Sequence, residues 1–181
     1  MASTARSSSR SKVEPLWAEE GAPRKEAGNL GAQWLSLISQ VAPPTTTQQA
    51  IPAFLPALLA HGLSFDSHPS RPGHLFFNLT VTPSITNRYT TLHGGAIGSL
   101  VEALGLAAVR SVAKSSSWSV TDINISYMAG TPIEEEVEFE ARVLRVGKII
   151  AVAAVDGKNK NSAKVVAQGR VTMCSTSLSN L

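Results

Sequence analysis

The chain has 181 residues, 43% apolar and 16% charged, which is enough for the buried core of one ordinary domain with a tail. Sixteen basic and thirteen acidic residues leave a net charge of only +3 with the basic residues scattered, so nucleic-acid binding is not expected. The single cysteine, Cys174, excludes an internal disulfide and is typical of a reducing compartment, and no apolar run is long enough to predict a membrane span.

The two ends of the chain carry possible targeting signals. Residues 1–29 lack apolar periodicity and predict a flexible leader, whose first twelve residues are basic, hydroxylated and free of acids, as transit peptides are. A disordered tail without an address is the alternative for this segment. Residues 176–181 form a tail ending in Ser179-Asn180-Leu181, one substitution from the Ser-Lys-Leu peroxisomal signal. We expect an intracellular protein, with the peroxisome favoured and the mitochondrion or plastid as alternatives.

An N-terminal segment over residues 30–62 predicts two short helices. Apolar residues at helical spacing indicate the first helix over 30–41 and the second over 52–61. Pro43 ends the first helix because proline cannot continue it, and Gly62 is a suitable stop for the second.

The remaining domain, over residues 63–175, predicts one long helix and a sheet. Residues 96–113 are too long for a strand, rich in Ala and Leu, and apolar around most of the circumference, which predicts a buried helix. Strand patterns occupy residues 74–83, 118–128, 136–146, 148–156 and 163–174, and a polar turn at 157–162 joins the last two. Because short links favour antiparallel pairs, the sequence predicts an α+β domain with an antiparallel sheet wrapped around a central helix.

The segment that leads into this helix, from Asn87 to the pair Gly94-Gly95, carries the strongest chemical signal. A Gly-Gly helix start offers free backbone N–H groups and the positive end of the helix dipole to an electron-rich carbonyl. His93, just before it, is expected to cap or orient rather than to act as a base. Eight residues after Gly94, Glu102 is the one acid in an otherwise water-excluding segment. This combination indicates acyl chemistry.

Gly94 and Glu102 are eight residues apart, about 12 Å along one helix at ~1.5 Å per residue. One carbonyl therefore cannot contact both groups of the same chain. If both serve one reaction centre, two antiparallel copies must supply them, and the chemistry requires at least a dimer. Two simpler interpretations stay open: Glu102 on a partly solvated helix face, and a tight Gly-Gly helix entry that binds no ligand.

Other chemistries have no supporting motif in the sequence. The four histidines, His61, His68, His74 and His93, show no metal-ligand spacing, so no metal is predicted. Neither a nucleophile elbow nor a phosphate loop or dinucleotide fingerprint is present. Cys174 lies in an apolar, strand-like run without a nearby histidine, which makes it a poor nucleophile.

Five motifs stand in one order over about residues 60–175: Asn87-x-x-x-Thr91-Leu92-His93-Gly94-Gly95, Glu102, the run from Asp122 to Met128, Arg145-Val-Gly-Lys148, and Ala167-Gln-Gly-Arg170. Together they resemble the hotdog-fold acyl-CoA thioesterases, most closely a plant-like version of the acyl-coenzyme A thioesterase 13 (thioesterase superfamily member 2) branch. The resemblance implies a hotdog fold, a homotetramer of two dimers, and hydrolysis of acyl-CoA to a free acid and coenzyme A. Coenzyme A is then part of the substrate, and no separate cofactor is implied.

The resemblance also implies roles for individual residues. Gly94 would donate its N–H to the thioester carbonyl, and Glu102 of the partner chain would act as base toward water or as nucleophile through a mixed anhydride. Asn87 and His93 would hold the loop and the carboxylate or water in place. Contacts with coenzyme A are implied at Tyr127, Met128, Thr131, Arg145, Gly147 and Lys148. Without the resemblance, Arg145 and Lys148 could equally be solvated charges at strand ends, although both suit phosphate.

Three positions depart from the family pattern. The acid is Glu102 where the nearest branch has Asp, and Val120 stands where that branch has a water-orienting Ser. Glu-type relatives instead have a hydroxyl one turn after the acid, at the place of Leu106. A non-catalytic acyl-CoA-binding protein is therefore the alternative to a hydrolase; a dehydratase would need a second pair of His and acid, which is absent. Fatty acyl groups are expected as substrates, with aromatic acyl groups as the alternative.

Overall fold

The computed structural model describes residues 62–113 and 117–176, which form one six-stranded antiparallel sheet and one long helix. The helices predicted over 30–41 and 52–61, and both predicted targeting signals, lie outside the described residues. The elements are β1 (Leu63–Arg71), β2 (His74–Thr80), α1 (Gly94–Arg110), β3 (Trp118–Tyr127), β4 (Glu136–Val146), β5 (Ile150–Asn159) and β6 (Val165–Ser175). The strand order in the sheet is β1-β2-β4-β5-β6-β3. The predicted architecture, an antiparallel sheet packed around a central helix, is confirmed.

Helix α1 lies directly on the sheet because its inner face is apolar and because glycines allow a close approach. A Cβ atom at Gly169 of β6 would lie 2.5 Å from Val101 Cγ1, and one at Gly105 of the helix would lie 2.9 Å from Val171 Cγ2. Both distances are shorter than real Cβ contacts, so a side chain at either position would force the facing valine or the helix to shift. The helix residues with at most 1% exposure are Ala96, Leu100, Val101, Leu104, Ala107, Ala108 and Val109.

The alternating strand patterns are confirmed by burial. In and just after β2, the side chains predicted to share one face are at most 1% exposed: Leu75, Phe77, Leu79 and Val81. Strand β4 has the predicted bounds, and its inward side chains Val137, Phe139 and Ala141 are fully buried. The period of two in these segments therefore identified the core face of each strand correctly.

Strand β1 is an edge strand that the sequence did not predict. Its residues are mostly polar and include Pro69, so they lack the apolar alternation of a strand with a buried face. Its pairing with β2 also shifts register between Asp66 and Arg71. An edge strand bonds to one neighbour only, so it tolerates a proline and a bulge that a central strand would not.

The prediction of a polar turn beginning at Gly157 is wrong, because β5 continues to Asn159. Gly157 is buried beneath a ring of β4: a Cβ atom there would lie 2.9 Å from Phe139 Cε1. The glycine provides space in the strand rather than a bend. The turn forms afterwards, where Asn159 Oδ1 accepts hydrogen bonds from the backbone N–H groups of Asn161 and Ser162.

The C-terminal end of α1 comes slightly earlier than the predicted residue 113. Ser111 Oγ donates to the Ala108 carbonyl at 2.6 Å and accepts from the Gly73 N–H at 2.8 Å, which ties the helix end to the turn between β1 and β2. Arg110 in the last turn places a cation at the negative end of the helix dipole. Burial lowers the pKa of Arg110 from its usual value.

Candidate active site

The loop before α1 is organised by the side chain of Asn87. Its Oδ1 accepts hydrogen bonds from the N–H groups of Tyr89 at 2.9 Å and Thr91 at 3.3 Å, while its Nδ2 donates to Thr91 Oγ1 at 2.9 Å. Thr90 has φ +59°, a left-handed conformation that this network holds in place. These hydrogen bonds are the ones expected of a side chain that holds the loop, and the role of Asn87 toward a carboxylate or water stays a prediction.

His93 is the N-cap of α1. Its Nδ1 accepts a hydrogen bond from the Gly95 N–H at 2.8 Å, so the neutral ring carries its proton on Nε2. A ring in this tautomer has no free nitrogen lone pair with which to take a proton from water. His93 thus caps the helix, as expected, and the expectation that it does not act as a base stays a prediction.

The cap leaves the N–H of Gly94 free. Gly95 is bonded to His93, but no acceptor for the Gly94 N–H lies among residues 62–113 and 117–176. This N–H is at the positive end of a 17-residue helix, where a developing negative charge on oxygen is stabilised. The position therefore suits an oxyanion donor.

A cavity of about 320 Å³ opens at the same helix end. It is lined by Thr86, His93, Gly95 and Ser99, which are all polar or small. Thr86 and Ser99 are not among the site residues predicted from the sequence. Ser99 is four positions after Gly95 and lies on the same helix face, but this spacing alone does not mark a serine as functional.

The outer face of α1 is uncovered by the described part of the chain. Its residues follow helical spacing and are half-buried or exposed: Gly95, Gly98, Ser99, Glu102 and Leu106. The prediction of a helix buried around most of its circumference is therefore wrong for a single chain, in which Glu102 is exposed. The sheet covers only one side of the helix, and the sequence pattern alone does not distinguish cover by the sheet from cover by a second molecule.

The predicted coenzyme A contacts at the start of α1 lie close to Gly94. Tyr127 Oη donates to the Gly94 carbonyl at 3.3 Å, and both Tyr127 and Met128 are more than half exposed. Thr131 is fully buried, and its carbonyl accepts from the Leu92 N–H at 2.8 Å. A direct contact between Thr131 and a ligand would require this loop to move.

The other predicted contacts, Arg145, Gly147 and Lys148, lie in the hairpin between β4 and β5. Both charged side chains are exposed, and the Gly147 N–H donates to the Ile150 carbonyl at 2.9 Å. The hairpin is at the far end of α1, because Val143 of β4 and Val112 beyond the helix both approach Gly73. The 17 residues of α1 span about 25 Å at ~1.5 Å per residue. One chain therefore does not bring the two predicted groups together.

Val120 takes an inward position on β3, where it is half-buried and packs against the core. Its neighbours Ser119 and Thr121 are exposed, and a bulge separates Val120 from Asp122. The hydroxyls of Ser119 and Thr121 thus face away from the helix. The position at which the related branch has a serine holds an aliphatic side chain here.

The described part of the chain contains neither a metal-binding cluster nor a membrane-spanning helix. Within it, no three His, Cys, Asp or Glu side chains cluster as they would around a metal ion. No helix in the described ranges has both the length and the apolar character needed to cross a membrane.

Comparison with known proteins identifies relatives in sequence and in structure. The family model described as "Thioesterase superfamily" matches residues 89–174. Mouse acyl-coenzyme A thioesterase 13 is 37% identical over 101 residues, which cover 56% of this chain and 72% of that relative. A crystal structure of zebrafish thioesterase superfamily member 2 is 24% identical, with a TM-score of 0.64, over 85% of this chain and 99% of that one.

A further structural neighbour is a hypothetical thioesterase protein from Streptococcus pneumoniae, solved with coenzyme A. It is 21% identical, with a TM-score of 0.57, over 63% of this chain and 85% of that chain. At this identity the likeness concerns the fold alone. The sequence match to the mouse relative covers enough of both chains to establish the family. The chain belongs to the thioesterase superfamily, a family of thioester hydrolases with the hotdog fold.

Proposed function

We propose that this protein hydrolyses acyl-CoA thioesters to free acids and coenzyme A, at a site shared between two antiparallel copies of the chain. The observation that carries the proposal is the free N–H of Gly94 at the start of α1, beside a cavity and on the same helix as the exposed Glu102. The name of the mouse relative supports the substrate class. The coenzyme A in the pneumococcal structure supports the ability of this fold to bind that group.

A symmetric pair of helices would supply both groups at each of two sites. In an antiparallel pair of helices, Gly94 of one copy can lie beside Glu102 of the other. The two helices then cross at the residue halfway between these positions, which is residue 98. That residue is Gly98, whose missing side chain lets two helices approach closely. Strand β3, which pairs only with β6 among the described strands, leaves a free edge beside this face.

The proposed reaction needs only these groups and one water molecule. Glu102 of the second copy takes a proton from the water, whose oxygen attacks the thioester carbonyl carbon. The carbonyl oxygen becomes negative and accepts the Gly94 N–H. The tetrahedral intermediate then re-forms the carbonyl and breaks the C–S bond, and the coenzyme A thiolate takes the proton back from Glu102. Attack by Glu102 itself, through a mixed anhydride, is the other route open to this acid.

The dimer also brings the predicted coenzyme A contacts closer together. In the symmetric pair, Arg110 of the second copy is eight residues, or about 12 Å, beyond Gly94 of the first. The hairpin with Arg145 and Lys148 follows that helix end, so the hairpin of the second copy lies nearer to Gly94 than the hairpin of the same chain does. We propose that coenzyme A binds between Tyr127 of one copy and Arg145 and Lys148 of the other.

The second candidate function is acyl-CoA binding without hydrolysis. The inward position of Val120 favours it, because neither this residue nor Leu106 can hold a water molecule by a hydrogen bond. A pocket that binds the thioester but leaves water unoriented would lose rate rather than affinity.

The test is a thioester hydrolysis assay on the purified full chain with a panel of fatty and aryl acyl-CoA substrates. We expect turnover, and we expect Glu102→Gln to lower kcat by roughly 10²- to 10⁴-fold, because the amide cannot accept the proton. Glu134→Gln, a matched change at an exposed loop acid, should leave kcat unchanged.

Full turnover by Glu102→Gln would refute the mechanism. Tight acyl-CoA binding by a wild-type protein without turnover would favour the second candidate. The panel decides between fatty acyl and aromatic acyl substrates.

The larger assembly and the compartment are further parts of the proposal. By family resemblance we propose a tetramer of two dimers, and light scattering that shows an active monomer would contradict it. We also propose a peroxisomal location on the strength of the ending Ser179-Asn180-Leu181. A fluorescent fusion that masks this end should abolish import, whereas loss of targeting after an N-terminal fusion would favour the mitochondrion or plastid.

A further inference from the structure

One hydroxyl at the proposed site has no partner in the described part of the chain. Ser99 is half-buried, lines the cavity beside His93 and Gly95, and its Oγ makes no hydrogen bond. Helical serines commonly bond the carbonyl four residues earlier, and Ser111 at the end of α1 bonds both a carbonyl and an N–H. The Thr86 hydroxyl in the same cavity is also used, since it donates to the Pro83 carbonyl at 2.9 Å.

The direction of side chains on a helix brings Ser99 toward the proposed reaction centre. In the symmetric pair, Ser99 is five residues, about 7.5 Å along the axis, from the level of Glu102 of the second copy. Side chains on a helix lean toward its N-terminus. Because the helices are antiparallel, Ser99 leans toward Gly94 while Glu102 of the second copy leans toward Ser99. The two side chains therefore lean toward each other in the proposed pair.

We propose that Ser99 is the positioning residue that orients the attacking water, an inference that rests on the proposed hydrolase function. A hydroxyl both donates and accepts, so Ser99 Oγ can hold the water by one hydrogen bond while Glu102 of the second copy takes its proton. The water oxygen then keeps a lone pair directed at the carbonyl carbon above Gly94. Ser99 thus provides, from the turn before the acid, the hydroxyl that is absent at Val120 and at Leu106.

A role of the Ser99 hydroxyl in folding can be distinguished from a role in orienting the water. The hydroxyl makes no hydrogen bond to residues 62–113 or 117–176, so its removal leaves no buried polar group there unpaired, and alanine has the higher helix propensity. We therefore expect Ser99→Ala to fold and assemble like the wild type. A loss of activity in this variant would report on the water and not on the fold.

The experiment compares steady-state kinetics of the full-length assembled protein on a fatty and an aryl acyl-CoA. We expect Ser99→Ala to lower kcat by roughly ten- to a hundredfold with KM nearly unchanged, because a poorly oriented water slows the chemical step alone. Ser99→Thr, which restores the hydroxyl, should recover most of kcat. Ser119→Ala removes an exposed hydroxyl from the outer side of β3 and should change neither constant.

The failure of this inference is distinguishable from failure of the hydrolase proposal. Wild-type kcat in Ser99→Ala, together with an inactive Glu102→Gln, would overturn the role of Ser99 and leave the hydrolase intact. A rise in KM without a fall in kcat would also overturn it, since that pattern indicates substrate binding instead. Full activity in Glu102→Gln, or a wild type without turnover, would overturn both proposals.

Discussion

The two faces of α1 differ in what covers them. The inner face is packed against the sheet, with Leu100, Leu104 and Ala107 fully buried, and it holds the domain together. The outer face has Gly98, Leu106 and a single acid where a solvated helix would carry a row of charges. The stability of one chain accounts for the first face only. We propose that a second copy of the chain covers the other face, and the proposed chemistry requires the same association.

The largest effect is expected from disturbing the outer face at its centre. A Cβ atom at Gly98 would meet Tyr127 Oη at 3.6 Å and Ile125 Cδ1 at 3.9 Å, which are ordinary contacts, so the single chain accepts a side chain there. We expect the larger side chain of leucine at this half-buried position to hold the two helices of the proposed pair apart. We expect Gly98→Leu to abolish the dimer in analytical ultracentrifugation and to lower turnover by more than roughly a hundredfold.

The matched control for this change is Asn161→Leu, an exposed position in the turn between β5 and β6. It adds the same side chain away from α1 and should change neither mass nor turnover. A Gly98→Leu protein that stays dimeric and active would disprove the symmetric pair about residue 98.

A second comparison removes the same side chain from each face. Leu100→Ala opens a cavity in a fully buried position and should lower the free energy of unfolding by about 2–5 kcal/mol. Leu106→Ala should lower the free energy of unfolding by less when it is measured at high protein concentration, because Leu106 is only half-buried in one chain. It should instead raise the dissociation constant of the proposed dimer. Chemical denaturation at several protein concentrations separates the two effects. Equal losses with the same concentration dependence would contradict a functional difference between the faces.

A smaller effect is expected from tightening the inner face. Gly169→Ala places a methyl group 2.5 Å from Val101 Cγ1, so the helix must shift or the rotamer must change, at a cost of about 1–3 kcal/mol. Val101→Ala in the same chain should relieve the clash, and the double variant should lose less stability than the sum of the single variants. Strictly additive losses in thermal unfolding would show that the close approach has no energetic consequence.

Features that depend on residues close together in the sequence were predicted correctly, whereas features that depend on a distant segment were not. Strand β4 was predicted with its bounds because Val137, Phe139 and Ala141 alternate with charged residues, and this pattern fixes its buried face. The capping by His93 is equally local, since the ring and the Gly95 N–H are two residues apart. Gly157 was wrongly predicted to begin a turn. The ring that leaves room only for a small residue there belongs to Phe139 of another strand, far away in the sequence.

The candidate site shows the same division. The Gly-Gly helix start and Glu102 were recognisable from their types and spacing. Ser99 was not, because a serine among small helical residues becomes conspicuous only when its hydroxyl is found unbonded beside a cavity. The predicted coenzyme A contacts lie at opposite ends of α1, and the sequence could not show this because it depends on where the strands lie.

The sequence by itself determined the order and faces of the main elements and the capped, electropositive start of α1. It also predicts a second copy if Gly94 and Glu102 serve one reaction centre, since about 12 Å of helix separates them. The tertiary structure alone decided which side of the helix the sheet covers, where the edge strand β1 pairs, and which hydroxyl lines the cavity. The reason is physical: spacing along the chain sets what each segment can present, whereas burial depends on which surfaces of distant segments meet.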